Sequence, residues 1–150
     1  MEPINLDKLL HKIQDFSEET AESSVDIKND TTFIISPEHI LAISKILVNE
    51  FDCSHLSGIT AQQRDDQKDV IEVLYHFWKG IGFSFMMVLP VENPEIPSIK
   101  SLLPGADFYE REVAEMFGIS FTGREETPPL LLPDNWSEGP PFIRNEDQDG

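Results

Sequence analysis

The stretch YEREVAEMFGISF, residues 109–121, sets three glutamates and an arginine in its first seven positions and then turns apolar around Gly118. Two carboxylates flanking a scissile bond would form a general acid/base pair, and two at i, i+3 on a helix would form part of a metal site. Pro104-Gly105 supplies a turn, Asp107 stands near a helix start and Gly118 suits a left-handed terminator, so the spacing predicts a helix over 107–117. Tyr109, Val113, Met116 and Phe117 then share a buried arc, with Glu110 and Glu112 bordering it on opposite sides. These two carboxylates diverge by about 200° around the axis and cannot converge on one bond. Glu112 and Glu115 share a side, but no second Glu-x-x-His or Glu-x-x-Glu element completes a metal site. Asp107, Arg111 and Glu115 read as a solvated ion-pair row, and Phe108, an aromatic on that charged side, reads as a partner contact.

Other reactive side chains are scattered. His11, His39, His55 and His76 lie far apart in the chain, and Cys53-x-His55 on a weak strand would put two ligands on one face without closing a zinc site. Ser84, Ser98 and Ser101 lack the glycine-flanked elbow of a nucleophile. The single cysteine, Cys53, supplies neither an internal disulfide nor a four-cysteine iron–sulfur site, and it suits a reducing compartment.

A chain of 150 residues with 39% hydrophobic content suits one core. The net charge of −17 argues against direct contact with nucleic acid or an anionic lipid surface and favours a neutral or basic partner. The opening MEPINLDKLLHKIQDF is amphipathic and acidic rather than signal-like, and no run of residues approaches a membrane span.

The elements that position the acidic stretch follow from periodicity. Leu6, Leu9, Leu10, Ile13 and Phe16 make an amphipathic helix, and VDIKNDTTFIIS reads as a hairpin. Ser36-Pro37 opens a second helix, with the serine hydroxyl as N-cap and Ile40, Leu41, Ile43 and Leu47 on the buried side. FDCSHLSGITA is a weaker strand interrupted by Gly58, and QQRDDQKD a polar turn. VIEVLYHFW and FSFMMVLPV are clear strands joined at Gly80 and Gly82, with Phe83, Phe85, Met87 and Leu89 on one face. The expected architecture is α+β: a mixed or antiparallel sheet with helices on one side over residues 1–123, followed by an extended arm over 124–150. Prolines 128, 129, 133, 140 and 141 keep that arm extended, while Leu130, Leu131, Leu132, Trp136, Phe142 and Ile143 give it apolar surface for a partner.

GADFYEREVAEMFGISFTG, residues 105–123, and LLLPDNWSEGPP further on resemble the 30 kDa subunit of proton-pumping NADH:quinone oxidoreductase, respiratory complex I, and of related energy-converting membrane hydrogenases. The resemblance extends from about residue 25 onward. It implies a hydrophilic, non-catalytic assembly subunit that binds no cofactor itself, peripheral to the cytoplasmic side of the membrane. Its implied partners are a large hydrogenase-like catalytic subunit, which can carry a nickel–iron site, and a small iron–sulfur subunit. Glu110, Arg111, Glu112, Phe117 and Gly118 are the motif positions, and Leu130 to Trp136 the tail positions; their implied work is assembly. The partner-facing set is thus Phe108, Glu110, Arg111, Glu112, Glu115, Leu130, Leu131, Leu132, Trp136, Phe142 and Arg144. After Gly123 the respiratory branch typically continues His-Pro and a basic pair, whereas this chain reads Arg124-Glu125-Glu126-Thr127-Pro128-Pro129 and keeps only Arg144 of the later basic residues. That departure points towards a hydrogenase-type or ferredoxin-linked complex, with NADH- or deazaflavin-linked oxidoreductases as the alternative. From the residues alone, a free-standing acidic binding module and a small hydrolase using Glu112 or Glu115 are the competing readings.

Overall fold

The computed structural model describes the backbone of residues 2–20, 26–29, 31–125, 130–133, 136–137 and 139–143, with side chains for these except 16–20 and 26–29. Helix α1 (Leu6–Thr20) leads into strands β1 (Asp26–Asn29) and β2 (Thr32–Ile34), a 3₁₀ turn (Pro37–His39) and helix α2 (Ile40–Glu50). Strands β3 (Leu56–Gln63), β4 (Val70–Trp78), β5 (Gly82–Pro90) and β6 (Glu95–Pro97) follow, then helix α3 (Ala106–Phe117) and strand β7 (Ser120–Thr122). Five strands form one sheet in the order β1-β2-β5-β4-β3, with β2 parallel to β5 and the other pairs antiparallel; β6 and β7 form a separate parallel pair. The fold is the expected α+β, and of the mixed and antiparallel sheets that the alternating patterns leave open it is the mixed one.

One face of the sheet is the core. Phe83, Phe85, Met87 and Leu89 of β5 stand beside Ile71, Val73, Tyr75 and Phe77 of β4, all buried. Phe77, Phe83 and Phe85 pack with centroids 5.8–6.0 Å apart, Phe77 and Phe83 stacked and Phe85 edge-on to both. Leu9 and Ile13 of α1, Ile40, Ile43 and Leu47 of α2, and Ala106 and Val113 of α3 join the same cluster. The apolar periodicity of α1 and α2 thus marks the faces turned to the core, with Leu6, Leu10 and Leu41 half-buried there; the Phe16 side chain lies outside the described residues. A Lys12–Glu50 ion pair of 3.0 Å links these two helices.

Three local expectations change. Ser36 precedes the 3₁₀ turn without a side-chain cap bond, and α2 begins only at Ile40, because Pro37 favours the tighter turn first. The weak strand is eight residues long and runs through Gln62 and Gln63; pairing with β4 carries it past the polar residues, and Gly58 marks a register shift rather than an end. Cys53 precedes β3 and is buried whereas His55 is exposed, so the two do not share a face. Burial pushes the Cys53 thiol up from its ordinary value. Gly80, with φ of +71°, closes the β4–β5 hairpin, and a Cβ there would lie 2.7 Å from Pro3 Cα, so the chain needs glycine for both reasons.

The opposite sheet face carries a polar line across three strands: His76 Nε2 lies 2.8 Å from Thr60 Oγ1, and His76 Nδ1 lies 2.8 Å from Ser84 Oγ. Burial lowers the His76 pKa from its ordinary value. Neutral His76 therefore stabilises the fold above the unfolded imidazole's pKa of about 6.5, and that contribution is lost as pH falls through the lower folded value. Urea midpoints should accordingly decline between pH 7 and 5, and the decline should be shallower in His76→Asn. Equal slopes for the two proteins would exclude His76 as the source.

Candidate functional site: an acidic helix that anchors its own arm

Helix α3 runs from Ala106 to Phe117 and ends at Gly118, which adopts φ of +72° and donates its N–H to Ala114 O at 2.9 Å. Its buried positions are Ala106, Glu110 and Val113, with Tyr109, Met116 and Phe117 half-buried. Helical spacing alone puts Glu110 at the border of the arc, available to a partner. Instead it is 0% exposed.

Burying a carboxylate costs several kcal/mol unless its oxygens are satisfied, and three donors do so here. Ser98 Oγ donates to Glu110 Oε1 at 2.7 Å, the Ile99 N–H to Oε2 at 2.9 Å, and Arg124 Nη1 to Oε1 at 2.8 Å. The second guanidinium nitrogen of Arg124 donates to Asp107, one turn before Glu110 on the same side of α3. Arg124 thus grips two carboxylates, a charge-assisted arrangement stronger than neutral hydrogen bonds. Burial opposes its charge, but the bonds to Asp107 and Glu110 outweigh that and raise its pKa above the ordinary arginine value. The Arg124 bond, with Lys100 and Arg111 nearby, holds the Asp107 carboxyl below the usual range. Tyr75, fully buried in β4, is pushed well above the usual phenol value by burial and then by the negative Glu110. The cluster ties α3 to the turn after β6 and to the residue that leaves β7.

The expected solvated row is also replaced. Arg111 Nη1 lies 4.0 Å from Asp107, a marginal ion pair, while Glu115 is turned to the arm. Its carboxylate accepts the backbone N–H of Leu130 and, at 2.7 Å, that of Leu131. Further along, the Phe142 N–H donates at 2.9 Å to Met116 O, one of the carbonyls left open at the end of α3. The Phe117 and Phe142 rings meet edge to face with centroids 5.5 Å apart, and Ile143 packs on the core. Pro140 sits so near Gly118 that a Cβ there would lie 2.7 Å from its ring. Leu130, Leu131, Pro140 and Phe142 therefore lie against the last turn of α3.

Of the partner-facing set, Phe108 is 49% exposed, Leu131 50%, Trp136 38% and Phe142 57%, whereas Leu130 and Leu132 are half-buried. Arg144 lies outside the described residues. Glu112 lines a groove of about 370 Å³ between β3, α3 and the arm, together with Ile59, Ala61, Val113, Leu131 and Phe142. Among the described residues no three histidine, cysteine, aspartate or glutamate side chains are grouped as metal ligands, and no helix is long and apolar enough to cross a membrane. Sequence reasoning misses Ser98 and Arg124. The available signal is the scarcity of cations: Arg111, Arg124 and Arg144 are the only basic residues from 110 to 150.

The family described as "Respiratory-chain NADH dehydrogenase, 30 Kd subunit" matches residues 33–150, which include α3, the Glu110–Arg124 cluster and the arm. The chain belongs to this 30 kDa subunit family. It is 28% identical over 127 residues to the corresponding NADH-quinone oxidoreductase subunit of Roseiflexus sp. (strain RS-1), covering 81% of this chain and 72% of the relative. To the same-named subunit of Salinispora tropica it is 30% identical over 129 residues, covering 82% of this chain and 52% of the relative. Two solved structures share the fold. A chain of the membrane-bound sulfane sulfur reductase, an archaeal respiratory membrane complex, gives a TM-score of 0.57 at 23% identity, covering 81% of this chain and 75% of that one. The trypsin-resistant fragment of Nqo5 gives 0.53 at 20%, covering 79% and 99%.

Removing Arg124 while leaving Glu110 strands a buried carboxylate. Arg124→Ala should cost about 3–5 kcal/mol in chemical denaturation. Arg124→Met combined with Glu110→Gln, which removes the buried charge but keeps an amide oxygen for the Ser98 and Ile99 donors, should recover part of that loss; no recovery would show that the uncompensated charge is not the source of the cost.

Proposed function

We propose that this chain is a non-catalytic docking subunit of a membrane-associated redox complex, without a cofactor of its own. The observation that carries the proposal is the division of labour between α3 and the arm. Glu110, Asp107 and Glu115 are engaged inside the chain, while Phe108, Leu131, Trp136 and Phe142 offer large apolar surface outside it. Aromatic anchors of this type dominate the energy of protein interfaces. Divergent carboxylates, each already bonded or single, provide no acid/base pair. Family membership supports the class of partner: a large hydrogenase-like catalytic subunit and a small iron–sulfur subunit, on the cytoplasmic side of the membrane.

Within that class, the hydrogenase or ferredoxin-linked branch is favoured by the residues after Gly123. Arg124 there serves the Glu110 latch inside the chain, and the later cations usual in the respiratory branch are absent apart from Arg144. The second reading, an NADH- or deazaflavin-linked oxidoreductase, is favoured by relatives that are named as subunits of NADH-quinone oxidoreductase.

Native purification through a tag on this chain, followed by mass spectrometry, tests the proposal. The large and small subunits should co-purify, the iron should follow the small subunit, and the isolated chain should be colourless. A chain ending after Arg124 should stay folded and lose most of the large subunit. Stoichiometric iron in the isolated chain, or purification of the chain alone under conditions that preserve complexes, would sink the reading.

A further inference from the structure

The groove beside α3 has a composition that its own chain leaves incomplete. Apart from Thr60 and Glu112 its lining is apolar, with Ile59 and Ala61 of β3 and Val113 of α3 on one side and the arm, through Leu131 and Phe142, as its rim. Both rim residues are half in solvent, at 50% and 57% exposure, although each already touches the groove. Glu112 stands in the wall as a half-buried carboxylate with no hydrogen bond or ion pair among the described residues. This distinguishes it from Glu110 and Glu115 on the same helix, which both have donors. A carboxylate beside apolar side chains attracts a cation more strongly than one in open water, since little solvent screens it. The net charge of −17 adds a field of the same sign around it.

We infer that this groove receives an apolar segment of a partner chain carrying one lysine or arginine, whose cation pairs with Glu112 while its neighbours cover Leu131 and Phe142. The inference rests on the docking reading above and adds where the partner enters and which chemistry selects it. A volume of about 370 Å³ accommodates a few side chains rather than a folded element, so the occupant is a short stretch presented by a larger surface. The cation sets orientation and the apolar contacts supply most of the affinity, as at other interfaces where a central anchor is ringed by polar groups.

The test places the photoreactive residue p-benzoylphenylalanine at position 131 in the full chain, expressed with its complex. Exposure of Leu131 leaves room for the larger side chain. After irradiation, cross-linked peptides are sequenced. The expected product joins residue 131 to a segment of another subunit containing apolar residues and a lysine or arginine, and adding Glu112→Lys should cut its yield several-fold while Glu112→Gln cuts it less. Cross-links confined to this chain's own arm would overturn the groove inference but not the docking function, provided the large subunit is still retained. A cross-link to a partner segment without a basic residue, or one insensitive to Glu112→Lys, would also overturn it. Loss of every partner from the wild-type purification would overturn both.

Discussion

The pairing of Glu110 with Arg124 holds together parts of the chain that lie apart in sequence. One carboxylate at the middle of α3 receives a hydroxyl from Ser98, a backbone N–H from Ile99 and a guanidinium from just beyond β7. An apolar residue at position 110 would pack α3 without determining where the chain goes next. A buried carboxylate admits few arrangements, because each missing donor leaves a charge uncompensated. Arg124 must therefore return to α3, and its second bond to Asp107 fixes the angle of return. The arm starts from that point. Its later contacts, Glu115 to the Leu130 and Leu131 amides and Met116 O to the Phe142 amide, extend along the same helix towards Gly118.

Much of this is legible in the residues. The β4–β5 hairpin, the bounds of α3 and the left-handed Gly118 follow from local pattern, since alternation, turn chemistry and a helix terminator act over a few residues. The buried face of α3 is only partly legible. Periodicity treats every glutamate as surface, so it favours Tyr109 and Met116 over Glu110; the donors that make burial possible come from residues 98, 99 and 124. The parallel pairing of β2 with β5 is hidden for the same reason, because α2, β3 and β4 intervene in the chain. Non-local partners cannot be read from a window of ten residues, and both the tightest latch and the mixed character of the sheet depend on them.

The three glutamates of the motif, though alike in sequence, have different work. Glu110 is spent on the fold, Glu115 on the arm's backbone, and Glu112 on nothing within the described residues. Their helical positions explain the division. Glu110 lies on the buried side of α3 with Ala106 and Val113, where the turn after β6 and Arg124 after β7 bring donors to it. Glu115 lies near the helix end, where an arm leaving β7 passes within reach. Glu112 faces β3 across the groove.

A subunit that exposes Leu131, Trp136 and Phe142 before assembly risks joining copies of itself. Here two features counter that risk. The net charge of −17 makes identical chains repel at close range, so apolar arms of separate copies meet only against an electrostatic cost, while a basic partner meets none. The arm is also tethered to α3 at Leu130, Leu131 and Phe142, which limits how far its apolar side chains extend and reduces the conformational entropy lost when a partner covers them. On the docking reading, acidity and tethering act together: the one opposes contact between identical chains, the other holds the apolar surface in place for a basic partner, and the acidity of α3 then serves assembly.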